Sequence, residues 1–268
     1  MRSRSEIAIR AALVVLGATA LSSTGYAQNG DIQQQLSNPI ASLTLVPIQV
    51  NYDRGIGPAE DGYKITTNVQ PVLPFKLDGG WSLVVRTIVP IISQDDIFPT
   101  AGDQFGLGDS LQSFFLVPKT VNGFTWGAGP ALLWRTGTER LLTSGKWAAG
   151  PTAVALQQTG PWTIGILANH VWSFAGDENR ADVSSTFVQP FIAYAASGGW
   201  TYTLNTESSY DWVGEQWTVP INFQISKLTK FGNQPVSLTG GIRYWADAPE
   251  NQGPEGWGGR AAITFILP

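Results

Sequence analysis

Residues 78–92 read DGGWSLVVRTIVPII, a glycine-rich turn followed by a tryptophan and a run of alternating side chains. One face of this run carries Trp81, Leu83, Val85, Thr87, Val89 and Ile91, and the other carries Ser82, Val84, Arg86, Ile88, Pro90 and Ile92. An alternation of period two predicts a β-strand, because successive side chains of a strand point to opposite faces. The short turn before it predicts a hairpin.

The same unit recurs along the chain. Further glycine-containing turns precede aromatic residues at 122–123, 159–161 and 197–199, and longer polar segments lie between them at 53–62, 93–107, 136–146, 174–183 and 246–256. The alternation predicts twelve strands, at 42–52, 63–75, 81–92, 108–118, 124–135, 147–158, 162–173, 184–195, 200–211, 215–226, 235–245 and 257–267. Short turns that alternate with long loops are typical of outer-membrane barrels. Two connections depart from this rule: the one after Asp211 is short, and the turn at 227–234 is long.

The composition favours contact with lipid. The chain is 43% hydrophobic and only 13% charged, whereas soluble domains carry about 25% charged residues. It contains no cysteine, so a disulfide framework is excluded. No segment after the N-terminal region is apolar for long enough to be a transmembrane helix. The sequence therefore predicts an all-β fold, a closed antiparallel transmembrane β-barrel of about 12 strands.

The N-terminal residues predict export. Three arginines at positions 2, 4 and 10 precede an apolar run at 11–21, and Gly25-Tyr26-Ala27 follows with small residues where a signal peptidase reads. We expect a signal peptide at 1–27, a periplasmic or plug segment at 28–41 and the barrel at 42–268, in the outer membrane of a Gram-negative bacterium. A membrane-anchoring helix is the alternative, but the apolar run is shorter than the ~20 residues that span a bilayer.

The net charge argues against a nucleic-acid partner. Without the three arginines and one glutamate of residues 1–27, the 16 basic and 20 acidic side chains become 13 and 19, a net charge of −6. Nucleic-acid binding needs a basic face. The expected partners are outer-membrane lipid and a small-molecule solute, and the sequence leaves the oligomeric state open.

The tryptophans lie near the predicted strand ends, as expected for two belts of aromatic side chains at the membrane interfaces. One belt follows the short turns and the other flanks the long loops; their members are Trp81, Trp126, Trp162 and Trp200, and Trp134, Trp147, Trp172, Trp217, Trp245 and Trp257. A soluble β-sandwich would alternate in the same way, but it would bury its largest side chains in mid-strand as often as at strand ends.

The few charges in mid-strand lie on the face opposite the tryptophans, where a charge avoids the cost of about 2–4 kcal/mol at the lipid midplane. We assign to the lumen Arg86, Glu207, Arg243, Arg260, Asn68, Gln70, Gln112, Gln189, Asn205, Asn222 and Gln224. Most acidic residues, Asp53 among them, fall in the long polar segments. These lumen residues form either the lining of an open pore or a satisfied polar plug.

Prolines interrupt the alternation near the middle of several predicted strands, at positions 71, 90, 130, 151, 190 and 220. Proline cannot donate to the ladder and is found at sheet edges or at bulges. Because a closed barrel has no edges, we expect a bulge at each of these positions.

Little in the sequence indicates catalysis. His170 is the only histidine, so neither a metal site of imidazoles and thiolates nor a cofactor is expected. A lipid hydrolase with a Ser–His pair at the rim is an alternative, but no spacing demonstrates the required partners, and an interface position is the favoured interpretation. The acidic run 177–182 could bind a divalent cation through oxygen ligands, although a solvated loop is favoured. We interpret Gly106-Leu107-Gly108-Asp109 as a turn from loop to strand.

Several short motifs, in a fixed order over nearly all of the mature chain, resemble the outer-membrane transporters of the meta-pathway phenol-degradation family. They are Asn38–Leu43, Asn68–Phe75, Gly106–Asp109 with Phe114–Leu116 and Pro118, Gly145–Trp147 with Gly150-Pro151, Gly160–Trp162, Asn169–Gly176, Gln189–Phe191 and Trp217–Pro220. The resemblance implies a barrel and uptake of small, often aromatic or hydrophobic, compounds. The C-terminal Phe265-Ile266-Leu267-Pro268 departs from the terminal aromatic residue of such barrels.

Three hypotheses for the function follow. The first is a non-enzymatic outer-membrane channel for passive uptake of small organic molecules. The second is a structural or adhesive barrel with a closed lumen. The third is a barrel enzyme that acts on lipids through His170.

Overall fold

The computed structural model describes residues 26–267, which form one helix and one large antiparallel sheet. The helix is α1 (Tyr26–Leu36). The strand segments are β1 (Thr44–Ile56), β2 (Gly62–Val69), β3 (Val72–Lys76), β4 (Ser82–Asp95), β5 (Gln104–Leu107), β6 (Ser110–Val117), β7 (Phe124–Trp134), β8 (Lys146–Thr159), β9 (Trp162–Gly176), β10 (Ser184–Ala195), β11 (Trp200–Thr206), β12 (Ser208–Asp211), β13 (Gln216–Phe231), β14 (Gln234–Asp247) and β15 (Gly256–Leu267).

These segments make a closed barrel of twelve spanning strands. Three spanning strands are interrupted and consist of two segments each, β2 with β3, β5 with β6, and β11 with β12. Each spanning strand pairs with the next along the chain, and β15 pairs with β1 so that Thr44 lies opposite Leu267. The sheet therefore has no free edge, and the predicted fold class and strand number are confirmed.

The strand ends agree with the predicted ranges to within a few residues, with two corrections. The turn expected at 227–234 is short, because β13 continues to Phe231 and β14 begins at Gln234. Strand β1 continues to Ile56, so Asp53 belongs to a strand and not to a loop. The short connection after Asp211 is confirmed, since only residues 212–215 join β12 to β13.

The two ends of the barrel differ in their connections. At the end where β1 begins and β15 ends, the strands are joined by short turns at 77–81, 118–123, 160–161, 196–199 and 232–233. At the opposite end the connections are 57–61, 96–103, 135–145, 177–183, 212–215 and 248–255. We call these the short-turn end and the long-loop end.

The wall is apolar outside and largely polar inside. In β9 the outward Ile164 and Ile166 are exposed, whereas the inward Thr163 and Asn169 are buried. A strand wall of this kind suits lipid because a closed sheet pairs its backbone polar groups within itself. No helix within residues 26–267 has the length and hydropathy needed to cross a bilayer.

The mid-strand prolines disturb the ladder less than expected. At Pro71, Pro130, Pro151 and Pro190 the pairing keeps one register on both sides of the proline, so the expected bulges are wrong there. The reason is that the N–H of a strand residue bonds to only one neighbour, so proline removes one ladder bond and shifts nothing. A register shift does occur at Pro220, and one extra residue between β5 and β6 lies opposite Pro90.

The N-terminal segment lies inside the short-turn end. Ile40 and Ala41 are buried among inward side chains of several strands, including Phe115 and Val154. Gln33 of α1 donates through Nε2 to the carbonyl of Trp200 at 2.8 Å and to that of Ala196 at 3.2 Å. We call residues 30–43 the N-terminal plug. The expected signal peptide at 1–27 lies outside the described residues, apart from its last two positions.

Candidate functional site: the barrel lumen

All but one of the predicted lumen residues lie on the inward face. Five of them line an internal cavity, and Asn222, Arg243 and Arg260 are buried; the five are Gln70, Arg86, Gln189, Asn205 and Gln224. Asn68 pairs across the sheet with Gln49, which also lines the cavity. Glu207 is the residue at the break between β11 and β12, and it reaches the inward Arg260.

Gln112 is the exception and lies on the outer face. It pairs with Thr87 and donates to the Thr87 hydroxyl at 3.0 Å, while its neighbour Ser113 pairs with the inward Arg86. The extra residue between β5 and β6 shifts the phase of this strand. Counting from β5 therefore puts Gln112 on the wrong side.

Arg260 and Glu207 form the strongest ion pair of the lumen. Nη1 and Nη2 of Arg260 donate to Oε1 and Oε2 of Glu207 at 2.9 and 2.7 Å, and Nε donates to Asn51 Oδ1 at 2.7 Å. The Arg260 side chain is 1% exposed and that of Glu207 is 24% exposed. Two parallel bonds between a guanidinium and a carboxylate fix the geometry as well as the charge.

A second pair lies towards the long-loop end, where Arg243 Nη1 lies 3.4 Å from Asp53 Oδ2. Trp245 Nε1 donates to the other oxygen of Asp53 at 3.0 Å, and the Arg243 guanidinium lies 4.7 Å above the Trp245 ring. Gly258 makes room for the pair, since a Cβ there would come within 2.8 Å of the Asp53 carboxylate and 2.6 Å of the Tyr52 carbonyl.

Trp245 is therefore a lumen residue, which corrects its assignment to the interface belt. It shares the inward face with Arg243, two residues earlier in β14, while Tyr244 between them is exposed on the outer wall. Position near a strand end made Trp245 resemble a belt residue. The period-two phase of its own strand assigns it to the lumen.

The third lumen arginine is Arg86, which donates through Nη2 to Gln70 Oε1 at 3.2 Å. Glu207 interacts electrostatically with Arg86 and Arg243 as well as with Arg260. Lys64 pairs across the sheet with Asp53 on the same inward face. The middle of the lumen thus carries four basic and two acidic side chains.

A cavity of about 220 Å³ lies between the N-terminal plug and Arg86. Its wall is polar on the strands that carry Gln49, Gln70, Gln189, Asn205 and Gln224, and apolar at Leu36, Leu45, Val72, Phe191 and Leu228. The plug closes it towards the short-turn end through Gln33, Leu36 and Asn38. A mixed wall of this kind accommodates a small amphipathic solute.

The other predicted belt tryptophans lie on the outer wall. Exposed at the short-turn end are Trp81, Trp126, Trp162 and Trp200, and at the long-loop end Trp147, Trp172, Trp217 and Trp257. Trp134 is half-buried because it packs edge-on against Trp147, with ring centroids 5.5 Å apart. Trp212 adds a further exposed ring at the long-loop end.

His170 is on the outer wall within an aromatic cluster. Its ring centroid lies 4.1 Å from that of Trp172, and its Nδ1 is hydrogen-bonded to the Thr186 hydroxyl at 2.6 Å. The same hydroxyl accepts from Trp212 Nε1 at 2.8 Å. Within the described residues Nε2 has no hydrogen-bond partner, whereas the histidine of a catalytic triad has a partner on each ring nitrogen.

The long-loop end is tied together by polar contacts that the sequence did not indicate. Asp109 accepts four hydrogen bonds from loop 135–145, from Gly137 N, Thr143 Oγ1, Ser144 N and Ser144 Oγ at 2.6 to 3.1 Å. Arg180 donates to the carbonyls of Arg140, Thr143 and Ser144 in the same loop. The motif Gly106–Asp109 is thus a loop anchor, and the expected turn from loop to strand is wrong, because Gly106 and Leu107 end β5 and Gly108-Asp109 form the bulge between β5 and β6.

Asp182 forms an ion pair with Lys146 at 2.9 Å and accepts from Ser173 Oγ at 3.1 Å. The hydrogen bond from Lys146 holds the pKa of Asp182 below its ordinary value of 3.8. The acidic run 177–182 therefore ties loops together through Arg180 and Asp182. No cluster of three or more potential metal ligands occurs in the described part of the chain.

Sequence reasoning missed several lumen residues, namely Gln49, Asn51, Asp53, Lys64 and Trp245. A signal was present for most of them, because residues 49, 51 and 53 alternate with the outward Val50 and Tyr52. The sequence pattern places Asp53 in a loop only because the predicted strand ends at residue 52, four residues before the observed end of β1.

The barrel is similar to solved outer-membrane proteins. An outer-membrane channel from Pseudomonas putida F1 superposes with a TM-score of 0.66 at 14% identity, over 84% of this chain and 95% of that chain. Outer membrane phospholipase A from Escherichia coli gives 0.52 at 11% identity, over 91% and 99% of the two chains, and the NanC porin gives 0.51 at 12%, over 83% and 100%. No protein-family model and no curated protein matches the sequence. At these identities the similarity establishes the fold.

Proposed function

We propose that this chain is an outer-membrane channel for passive uptake of small organic molecules. The observation that carries the proposal is the polar, charged lumen, with its internal cavity, enclosed by a wall whose outer face is apolar. Inward charges tune which solutes pass through such barrels. The resemblance to the phenol-degradation family supports aromatic or hydrophobic compounds as solutes, and the similarity to a solved channel and a porin supports the class.

The N-terminal plug must move, or leave a path beside it, for a solute to cross. It is held by hydrogen bonds of Gln33 and Gln34 to the turns that carry Ala196 and Gly160 and by the apolar contacts of Ile40 and Ala41. The plug also favours the second candidate, a structural or adhesive barrel with a closed lumen. The two candidates differ in one measurable property, the flux of small solutes.

The decisive experiment measures flux through a plug that can be locked. The chain contains no cysteine, so Gln33→Cys and Thr201→Cys introduce a unique pair where the two side chains now touch at 3.3 Å. We expect wild-type protein in liposomes to pass small uncharged aromatic solutes. The double variant, bridged by a short thiol-specific cross-linker that reductant cleaves, should lose most of this flux.

The two single cysteine variants, treated with the same reagent, control for modification without a bridge. Reductant should restore the flux of the bridged protein. Heat-modifiable migration on gels shows whether the wild-type barrel is folded. A folded barrel that passes no solute would exclude the channel and favour the closed barrel. Flux that is unchanged by the bridge would place the path outside the plug.

We propose further that His170 is an interface residue and that the barrel has no lipid-hydrolysing activity. The His170 ring is hydrogen-bonded to the Thr186 hydroxyl and packs against Trp172, and in the described residues no carboxylate or amide is hydrogen-bonded to its other nitrogen. His170→Ala should leave lipid turnover in phospholipid vesicles unchanged. A turnover by the wild-type protein that this substitution abolishes would make the barrel an enzyme.

A further inference from the structure

Arg86 differs from the other two lumen arginines in its partners. Arg243 and Arg260 each contact a carboxylate, whereas no carboxylate oxygen of the described residues lies within 4.0 Å of the Arg86 guanidinium. Its one hydrogen bond goes to the neutral side chain of Gln70. A guanidinium has five N–H donors and binds a carboxylate through two parallel bonds, so most of the donors of Arg86 are unused.

The protein's own acidic groups do not neutralise Arg86. Glu207 is the lumen carboxylate that interacts with it, and both oxygens of Glu207 are engaged by Arg260. Asp53 is occupied by Arg243 and Trp245. Of the four basic side chains, Arg86 and Lys64 therefore have no carboxylate oxygen of the described residues within 4.0 Å, and Arg86 is the one that lines the cavity.

Arg86 also lies on the wall of the internal cavity. The cavity measures about 220 Å³, whereas a cavity of about 150 Å³ holds a benzene molecule. Its apolar wall is formed by Leu36, Leu45, Val72, Phe191 and Leu228, and carboxamides of Gln49, Gln189 and Gln224 complete the polar wall. A ligand with one charged end and one compact apolar end matches both parts.

We propose that Arg86 is the anion-binding residue of a lumenal subsite for a small organic monocarboxylate with a compact apolar body, such as a single ring. The proposal rests on the proposed channel function and names its solute class. The carboxylate accepts hydrogen bonds from Arg86, and the ring packs against the apolar wall. An uncharged solute of the same shape enters the lumen without being held there.

The test compares benzoate with benzamide, which has the same ring and no charge. Flux into liposomes is measured as a function of concentration for the full mature chain and for Arg86→Gln, Arg86→Lys and Arg140→Gln. The last variant is the matched control, because it removes the same charge from an exposed loop at the long-loop end. Heat-modifiable migration verifies that each variant is folded.

For wild type and Arg140→Gln we expect benzoate flux to saturate, and benzamide flux to rise in proportion to concentration. Arg86→Gln should raise the half-saturating benzoate concentration about tenfold or more, as expected for losing hydrogen bonds to a charged group, and leave benzamide flux unchanged. Arg86→Lys should have a half-saturating benzoate concentration between those of wild type and Arg86→Gln. Equal benzoate curves for wild type and Arg86→Gln would overturn the proposal while the channel stands.

A binding measurement separates the subsite from the channel. Line broadening of benzoate in the NMR spectrum of the detergent-solubilised barrel reports binding without any need for flux. If wild-type protein passes neither solute but broadens benzoate, and Arg86→Gln does not, the channel fails and the subsite stands. If benzoate is broadened equally by the two proteins, the subsite is wrong whatever the flux.

Discussion

At the scale of single residues, the ion pair between Arg260 and Glu207 links β15 to the break between β11 and β12 across the lumen. Glu207→Ala leaves the buried guanidinium with Asn51 as its remaining partner. Removing one partner of a buried pair costs about 3–5 kcal/mol, because the other charge stays buried.

We expect the free energy of unfolding in vesicles, measured by urea titration, to fall by an amount near the lower end of that range, since Glu207 is partly hydrated. Glu178→Ala, which removes the same charge from an exposed loop position, is the control and should change it little. If Glu207→Ala lowers the free energy of unfolding no more than the control does, water in the lumen replaces the carboxylate as the partner of Arg260.

Trp245 offers a second test at the residue scale, because it faces the lumen while Trp257 faces outward. Brominated lipids quench tryptophans that contact acyl chains. Trp257→Phe should therefore remove emission that brominated lipid quenches, and Trp245→Phe should remove emission that it does not. If brominated lipid quenches the emission that Trp245→Phe removes, Trp245 contacts acyl chains and its assignment to the lumen is wrong.

At the scale of elements, Asp109 decides the conformation of loop 135–145, since the loop donates four hydrogen bonds to its carboxylate. Arg135 and Arg140 are exposed in the folded protein, and Asp109→Ala should free the loop so that trypsin can bind the backbone at these two positions. We expect cleavage at these positions at least about tenfold faster than in wild type, because each lost hydrogen bond to a charged group is worth about 1.5–3 kcal/mol. Asp103→Ala, at an exposed position in loop 96–103, is the matched control.

The tie between Lys146 and Asp182 predicts a dependence on pH. Because the pKa of Asp182 in the folded protein is lower than 3.8, the tie contributes fully above that ordinary value and is lost as the pH falls through the lowered one. Amide hydrogen exchange of residues 177–183 should be slower in wild type than in Asp182→Asn at pH 7 and pH 5. The difference should vanish at a pH below the lowered pKa of Asp182, where the carboxyl group is protonated. A difference in exchange that persists there would mean that the Asp182 carboxylate does not order the loop.

Elements also show where sequence reasoning succeeds. Strand positions were predicted closely because lipid outside and a polar lumen inside force a strict period of two on every strand. The prolines misled the prediction of bulges, because a proline such as Pro151 removes one ladder bond and leaves the register intact. The phase error at Gln112 has a different origin, since the extra residue lies at Gly108-Asp109, on the strand opposite Pro90 and not on the strand that carries the proline.

At the scale of the whole molecule, the sequence predicted the barrel and most of its lumen, but not the contacts that organise the lumen. Inward-facing residues follow from alternation, whereas the pairing of Arg243 with Asp53 joins positions far apart in the chain. The same holds for the contacts of the N-terminal plug and for the ties of loop 135–145. Neither segment has a periodic pattern, and their conformation depends on tertiary contacts that no local signal reports.

The pairing of β1 with β15 also governs when this protein can assemble. Strand β1 is synthesised first and β15 last, so the barrel cannot close until Leu267 is present. Until then the hairpins between these strands have two open edges that can pair with other chains. Such a sheet is slow to form, since its closing contact joins the most distant parts of the polypeptide. The barrel therefore closes only when the whole chain is present, and its strand edges stay open to other chains throughout that interval.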